Sequence, residues 1–135
     1  MCQLIDIKCG TNRLVILIYK YAVKIANPIY GHKHFLIGCL ANWNERERYL
    51  LIKRYSKDSY LKIAISLWCS YFGLIQIQKR CKELDRELTD EEYISFEYYC
   101  NNDCKRTNFG YYHNNIVCLD YPLIYNKQQA KNKLL

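Results

Sequence analysis

Residues 3–9 and 13–20 are apolar-rich runs on either side of Gly10-Thr11-Asn12, which reads as two strands joined by a hairpin turn. Tyr21–Ala26 continues as a third extended segment after a bend near Lys20, and Asn27-Pro28 with Tyr30-Gly31 ends it. From about His34 to Lys53 the pattern turns helical. Phe35, Ile37, Leu40, Trp43, Leu50 and Leu51 recur near the helical period, with Asn44, Arg46 and Arg48 between them. Residues 62–70 and 73–79 read as a second strand pair. In the latter, Leu74, Ile75 and Ile77 alternate with Gln76 and Gln78, the pattern of a half-buried strand with its apolar side inward. Residues 79–88 form a charged connector. Thr89-Asp-Glu-Glu92 matches a capping box and predicts a helix to about Cys100. A loop over 101–110 and a short hairpin over 111–119 follow, ending at Asp120. Pro122 stops that strand, and 126–133 reads as frayed helix or disorder. Helices and antiparallel strands in this order predict an α+β fold.

Half of the 135 residues are apolar, enough for one compact domain with its own core. No apolar run is long enough to span a bilayer. The longest, Leu14 to Tyr19, is followed by Lys20 and Lys24 and suits a buried strand. The N-terminus lacks the zones of a secretory signal, so a cytoplasmic protein with no membrane partner is expected. Twenty basic against 13 acidic residues leave +7, which favours anionic partners: nucleotide, nucleic acid or an acidic protein face. The basic residues are spread along the chain, which is also the pattern of ordinary surface charge. Eight cysteines are scattered without a Cys-x-x-Cys pair. Cys100 and Cys104, with His113 and Cys118 downstream, come nearest to a zinc set, but the spacing favours reduced, buried thiols.

One stretch carries the chemistry. Asp103-Cys-Lys105-Arg-Thr-Asn108 is followed twelve residues later by Asp120, at the end of the apolar run Ile116–Leu119. A carboxylate, an amide oxygen and a second carboxylate form the set with which phosphoryl-transfer sites hold Mg²⁺ and orient an attacking hydroxyl. Read singly, Asp103 and Asn108 also suit turns. Lys24 also suits an edge strand, and Glu45 an exposed charge network on its helix. Tyr98, Tyr99, Tyr111, Tyr112 and Tyr121 read as core and rim.

Taken in order, these elements and residues resemble the protein-kinase-like fold in much shortened form, over residues 3 to 122. Tyr21-Ala-Val-Lys24-Ile looks like the family's Val-Ala-Ile-Lys strand. The resemblance implies an antiparallel N-lobe sheet with one helix over 1–80, a reduced C-lobe over 81–125 and a tail over 126–135. It implies that Lys24 meets ATP phosphates, that Glu45 pairs with Lys24 (Glu47 being the fallback), and that Gly10 and Lys79 lie at the nucleotide. The connector Lys79–Leu84 stands where the family's hinge meets adenine. Asp103 would accept the acceptor hydroxyl's proton, Lys105 would assist the transferred phosphate, and Asn108 and Asp120 would hold Mg²⁺.

Several positions depart from the family. Gly10 is the only glycine of the first hairpin, so the Gly-x-Gly-x-x-Gly phosphate cover is missing, and Thr11, Asn12 and Arg13 are left to replace some of its contacts. Asn101-Asn102 replaces His-Arg, Pro122 replaces a glycine, and the fifteen residues after Asp120 leave no room for a peptide-substrate platform. The resemblance therefore implies a kinase-like protein that binds or once bound ATP–Mg²⁺, with weak or no phosphotransfer, and docks on a partner protein. An active minimal kinase is the first alternative, and a small basic nucleic-acid or protein interaction module is the second. Richness in Lys, Ile, Asn and Tyr suggests an AT-rich phage or viral genome, hence a host protein as partner and the host cytoplasm as location.

Overall fold

A computed structural model describes residues 5–55, 62–100 and 105–121; Asp103, Cys104 and the tail lie outside these residues. The chain runs β1 (Ile5–Cys9), β2 (Arg13–Ile18), β3 (Tyr21–Ala26), α1 (His32–Tyr55), β4 (Ser66–Cys69), β5 (Ile75–Lys79), β6 (Lys82–Glu83), α2 (Asp90–Cys100), β7 (Phe109–Tyr112) and β8 (Asn115–Cys118). Short 3₁₀ turns occupy Tyr71–Gly73 and Arg106–Asn108. The fold is α+β. Five antiparallel strands form one sheet in the order β1-β2-β3-β5-β4, and β6-β7-β8 form a second. Among the described residues no helix is long and apolar enough to cross a membrane.

The register sets what the large sheet presents. On β3, Lys24 lies opposite Val15 of β2 and Gln76 of β5. Helix α1 packs closely on the sheet because Gly38 lacks a side chain. A Cβ there would stand 2.1 Å from the Asn12 carbonyl oxygen and 3.2 Å from the Ala26 Cα. The turn at Gly73, with φ of +69°, seats against the same helix; a Cβ there would meet the Cys39 carbonyl oxygen at 1.9 Å.

The apolar core lies between the C-terminal half of α1, helix α2 and the small sheet. It is built from Tyr49, Ile63, Leu84, Leu88, Phe96, Phe109, Val117 and Tyr121. Phe96 and Phe109 meet edge to face at 5.1 Å between ring centres. The two sheets are tied together by main-chain and buried polar links. The Ala64 amide donates to the Cys118 carbonyl at 2.9 Å, and the Tyr121 hydroxyl donates to the Ala64 carbonyl at 2.7 Å. Arg48 reaches from α1 to the Tyr121 carbonyl at 2.8 Å.

The faces of two elements are the reverse of the expected ones. Leu40, Trp43, Leu50 and Leu51 are exposed, while α1 turns Gly38, Ala41, Asn42, Glu45, Arg48 and Tyr49 inward. On β5, Gln76 and Gln78 are buried while Ile75 and Ile77 are only half-buried, and Leu74 just before the strand is exposed. The physical reason is mutual satisfaction. Buried polar groups are tolerated where they bond one another, and these do: Ser66 donates to Gln76 at 2.9 Å, and Asn42 donates to the Lys24 and Gly73 carbonyls at 3.1 and 2.9 Å. Three boundaries also move. The strand expected over 62–70 shortens to Ser66–Cys69, the connector contains β6, and the last hairpin begins at Phe109 because Gly110 and Tyr111 pair with Glu83 and Lys82.

Candidate functional site

Lys24, in the middle of β3, is buried beneath α1. One and two turns into the packed stripe that begins at Gly38, the helix presents Asn42 and Glu45 to it. The Lys24 ammonium donates to both Glu45 oxygens, at 2.9 and 3.2 Å, and to the Leu119 carbonyl at 2.6 Å. A single side chain thus joins the large sheet, the long helix and the segment leaving β8. Glu45 has no solvent exposure, whereas Glu47, two residues along, is exposed.

A second cation enters from β2. Arg13 Nη1 donates to Glu45 at 2.5 Å and to the Asn42 side-chain oxygen at 3.1 Å, while Nη2 bonds to the Asp120 carboxylate. Gln76 Nε2 contacts Glu45 at 3.4 Å from the other side. Burial works against the Arg13 charge, but Glu45 and Asp120 outweigh it and hold its pKa above the ordinary arginine value. Burial likewise raises the Asp120 pKa, and Arg13 followed by Lys24 more than reverses this, so the carboxylate titrates below its ordinary range. Arg13 and Asp120 are therefore both charged at neutral pH.

In front of the cluster is a cleft of about 430 Å³ between the large sheet and the small one. Val15, Leu17, Ala22, Leu84 and Leu119 supply apolar walls, and Lys8, Lys79 and Arg106 add positive charge. That volume and mixture suit a small organic anion. Lys8 is paired with Glu83 at 2.6 Å across the opening, and Lys79 donates to the Tyr112 hydroxyl at 3.1 Å, which raises the lysine's pKa.

The structure brings Gly10, Lys24, Lys79, Asn108 and Asp120 to this cleft, with Glu45 directly behind Lys24. Lys105 is exposed and does not line it. Asp103 is outside the described residues. Among the described residues no group of three or more histidine, cysteine or acidic side chains gathers as a metal set; His113 is exposed in a turn, and the Cys118 thiol is buried against the Asp120 carbonyl. Asn108 and Asp120 both line the cleft, and Arg13 bonds one oxygen of the Asp120 carboxylate, Oδ1.

Arg13, Asn42 and Gln76 are the parts of this site that an apolar-pattern reading does not assign. The available signal was the helical spacing of Gly38, Ala41/Asn42, Glu45 and Arg48/Tyr49, a stripe of small and polar residues facing one way. No family model, curated protein or solved structure matches the chain.

Proposed function

We propose that the chain is a shortened protein-kinase-like fold that binds a nucleoside triphosphate such as ATP between its two sheets, carries out weak or no phosphotransfer, and acts by docking on a partner protein. The observation that carries this reading is Lys24, held by Glu45 of α1 and bonded to the Leu119 carbonyl one residue before Asp120. The strand order and the connector leading from β5 into the small sheet support it. In this reading Val15, Leu17, Ala22, Leu84 and Leu119 exclude water around a flat base, while Lys24 and Arg13 neutralise phosphate charge. Glu45 fixes Lys24 so that its ammonium needs no reorientation on binding. In this reading transfer is weak because Arg13 holds one oxygen of the Asp120 carboxylate.

A separate observation supports docking. Leu36, Leu40 and Trp43 of α1 form an exposed apolar surface with Tyr71, Phe72 and Leu74. Tyr71 is 94% exposed and Phe72 89%, and Phe72 has a φ of +61°, a conformation that costs a non-glycine residue about 1 kcal/mol or more. Exposed Lys33, Lys53 and Arg54 on the same helix and the net charge of +7 select an amphipathic, acidic partner segment over a second copy of the chain.

Thermal unfolding in an ATP titration tests the nucleotide reading. Binding stabilises by RT ln(1 + [L]/Kd), about 2.7 kcal/mol at a hundredfold excess over Kd. Ala22→Leu, which fills the cleft wall without touching a charge, should abolish the shift. An unchanged unfolding temperature at millimolar ATP would rule the reading out.

A further inference from the structure

The Arg13 guanidinium lines the cleft beside Asp120. It is bonded to Asp120 and Glu45 at once, with Asn42 fixing its orientation. We propose that Arg13 serves as a built-in cation, so that the cleft takes its nucleoside polyphosphate free of divalent metal. The inference rests on the nucleotide reading above and adds the ionic form of the ligand.

Three observations carry it. The first is charge balance. Arg13 and Lys24 already neutralise Glu45 and Asp120. A divalent ion at Asp120 would bring two further positive charges next to a guanidinium that is itself only 11% exposed.

The second is donor capacity. A guanidinium has five N–H hydrogens, and three of Arg13's are used by Asn42, Glu45 and Asp120. The Nε hydrogen and one Nη2 hydrogen have no protein acceptor among the described residues, and Arg13 lines the cleft. Phosphate oxygens are the acceptors that a planar guanidinium accommodates best.

The third is surplus charge. The Lys79 ammonium is bonded to a neutral hydroxyl, and Arg106 is 3.8 Å from the exposed Glu87. Both line the cleft together with Arg13 and Lys24. With Arg13 and Lys24 paired to Glu45 and Asp120, Lys79 and Arg106 are the cations left over to meet the charge of a free polyphosphate.

Isothermal titration of the full chain with ATP in EDTA, and again in excess MgCl₂, decides the matter. The expected result is a wild-type Kd in EDTA within about threefold of that in Mg²⁺. Arg13→Gln should weaken binding in EDTA at least about tenfold, the loss of one charge-assisted bond, and should bind more tightly when Mg²⁺ is added. Should Arg13→Gln not fold, Asp120→Asn serves instead. It leaves Arg13 with Glu45 and Asn42 and should bind ATP equally in EDTA and in excess MgCl₂, whereas an Asp120 that holds metal would lose binding in MgCl₂ on this substitution. Wild type that binds ATP only with Mg²⁺ overturns the inference and leaves the nucleotide reading standing. No binding under either condition overturns both. Undiminished binding by Arg13→Gln in EDTA, or loss of binding in MgCl₂ by Asp120→Asn, also overturns the inference.

Discussion

Replacing Glu45 by Gln removes one charge and almost no volume, and it should be among the most damaging isosteric changes in the chain. Glu45 has no solvent exposure and accepts hydrogen bonds from Lys24, Arg13 and Gln76. The side chains of Lys24 and Arg13 are only 6% and 11% exposed. Loss of the carboxylate leaves two nearly buried cations facing each other, with Asp120 as the remaining counter-charge. Breaking a buried pair by removing one partner costs about 3–5 kcal/mol. For a chain of this length that is roughly 10–18 °C in Tm. Two controls fix the interpretation. Asp120 is 39% exposed, so solvent screening limits Asp120→Asn to about 1 kcal/mol or less. Glu47 is exposed, and Glu47→Gln should change stability by no more than about 0.5 kcal/mol. Urea denaturation of the three variants gives the ranking. A Glu45→Gln cost within about 1 kcal/mol of the Glu47→Gln cost would show that the cluster is solvated, and the reasoning from buried charge would fail.

Other consequences can be checked separately. Gly38→Ala should destabilise by about 1–3 kcal/mol in the same assay, since its methyl would lie 2.1 Å from the Asn12 carbonyl oxygen and push α1 off the β1–β2 turn. Native maleimide labelling followed by mass spectrometry should modify exposed Cys9 and spare Cys118, whose thiol is pushed up to about 12, chiefly by burial. The Glu92 carboxylate should titrate by NMR at about 2, pulled down from its ordinary 4.5 first by Arg86 and then by the Thr89 amide. A depressed folded-state pKa stabilises above the unfolded value, so this contribution is complete above about 4.5 and lost as pH falls towards 2.

Local chemistry was legible along the chain and long-range polar packing was not. Thr89 and Glu92 form the reciprocal capping box read from four letters, with the Thr89 amide donating to Glu92 at 3.0 Å and the Glu92 amide to Thr89 at 3.2 Å. The strand–turn–strand start and the long helix were equally visible, because turns and helical periodicity are written within a few residues. The reversed faces of α1 and β5 were not. Leu40 and Trp43 look like core and Gln76 looks like surface until Glu45, Lys24, Ser66 and Arg13 are brought together from four elements. Arg13 shows the difficulty most clearly. It opens an apolar strand and its partners lie 29, 32 and 107 residues away, so no local pattern could assign its role.

The nucleotide cleft is tested most directly by an ATP titration of methyl-labelled protein followed by NMR. Binding between the sheets should give saturable shifts at the methyl groups of Val15, Leu17, Ala22, Leu84 and Leu119, and leave Leu36 and Leu40 on the outer face of α1 unchanged. Cleft methyls that stay fixed at millimolar ATP, or shifts confined to the outer face of α1, would contradict a nucleotide site next to Lys24.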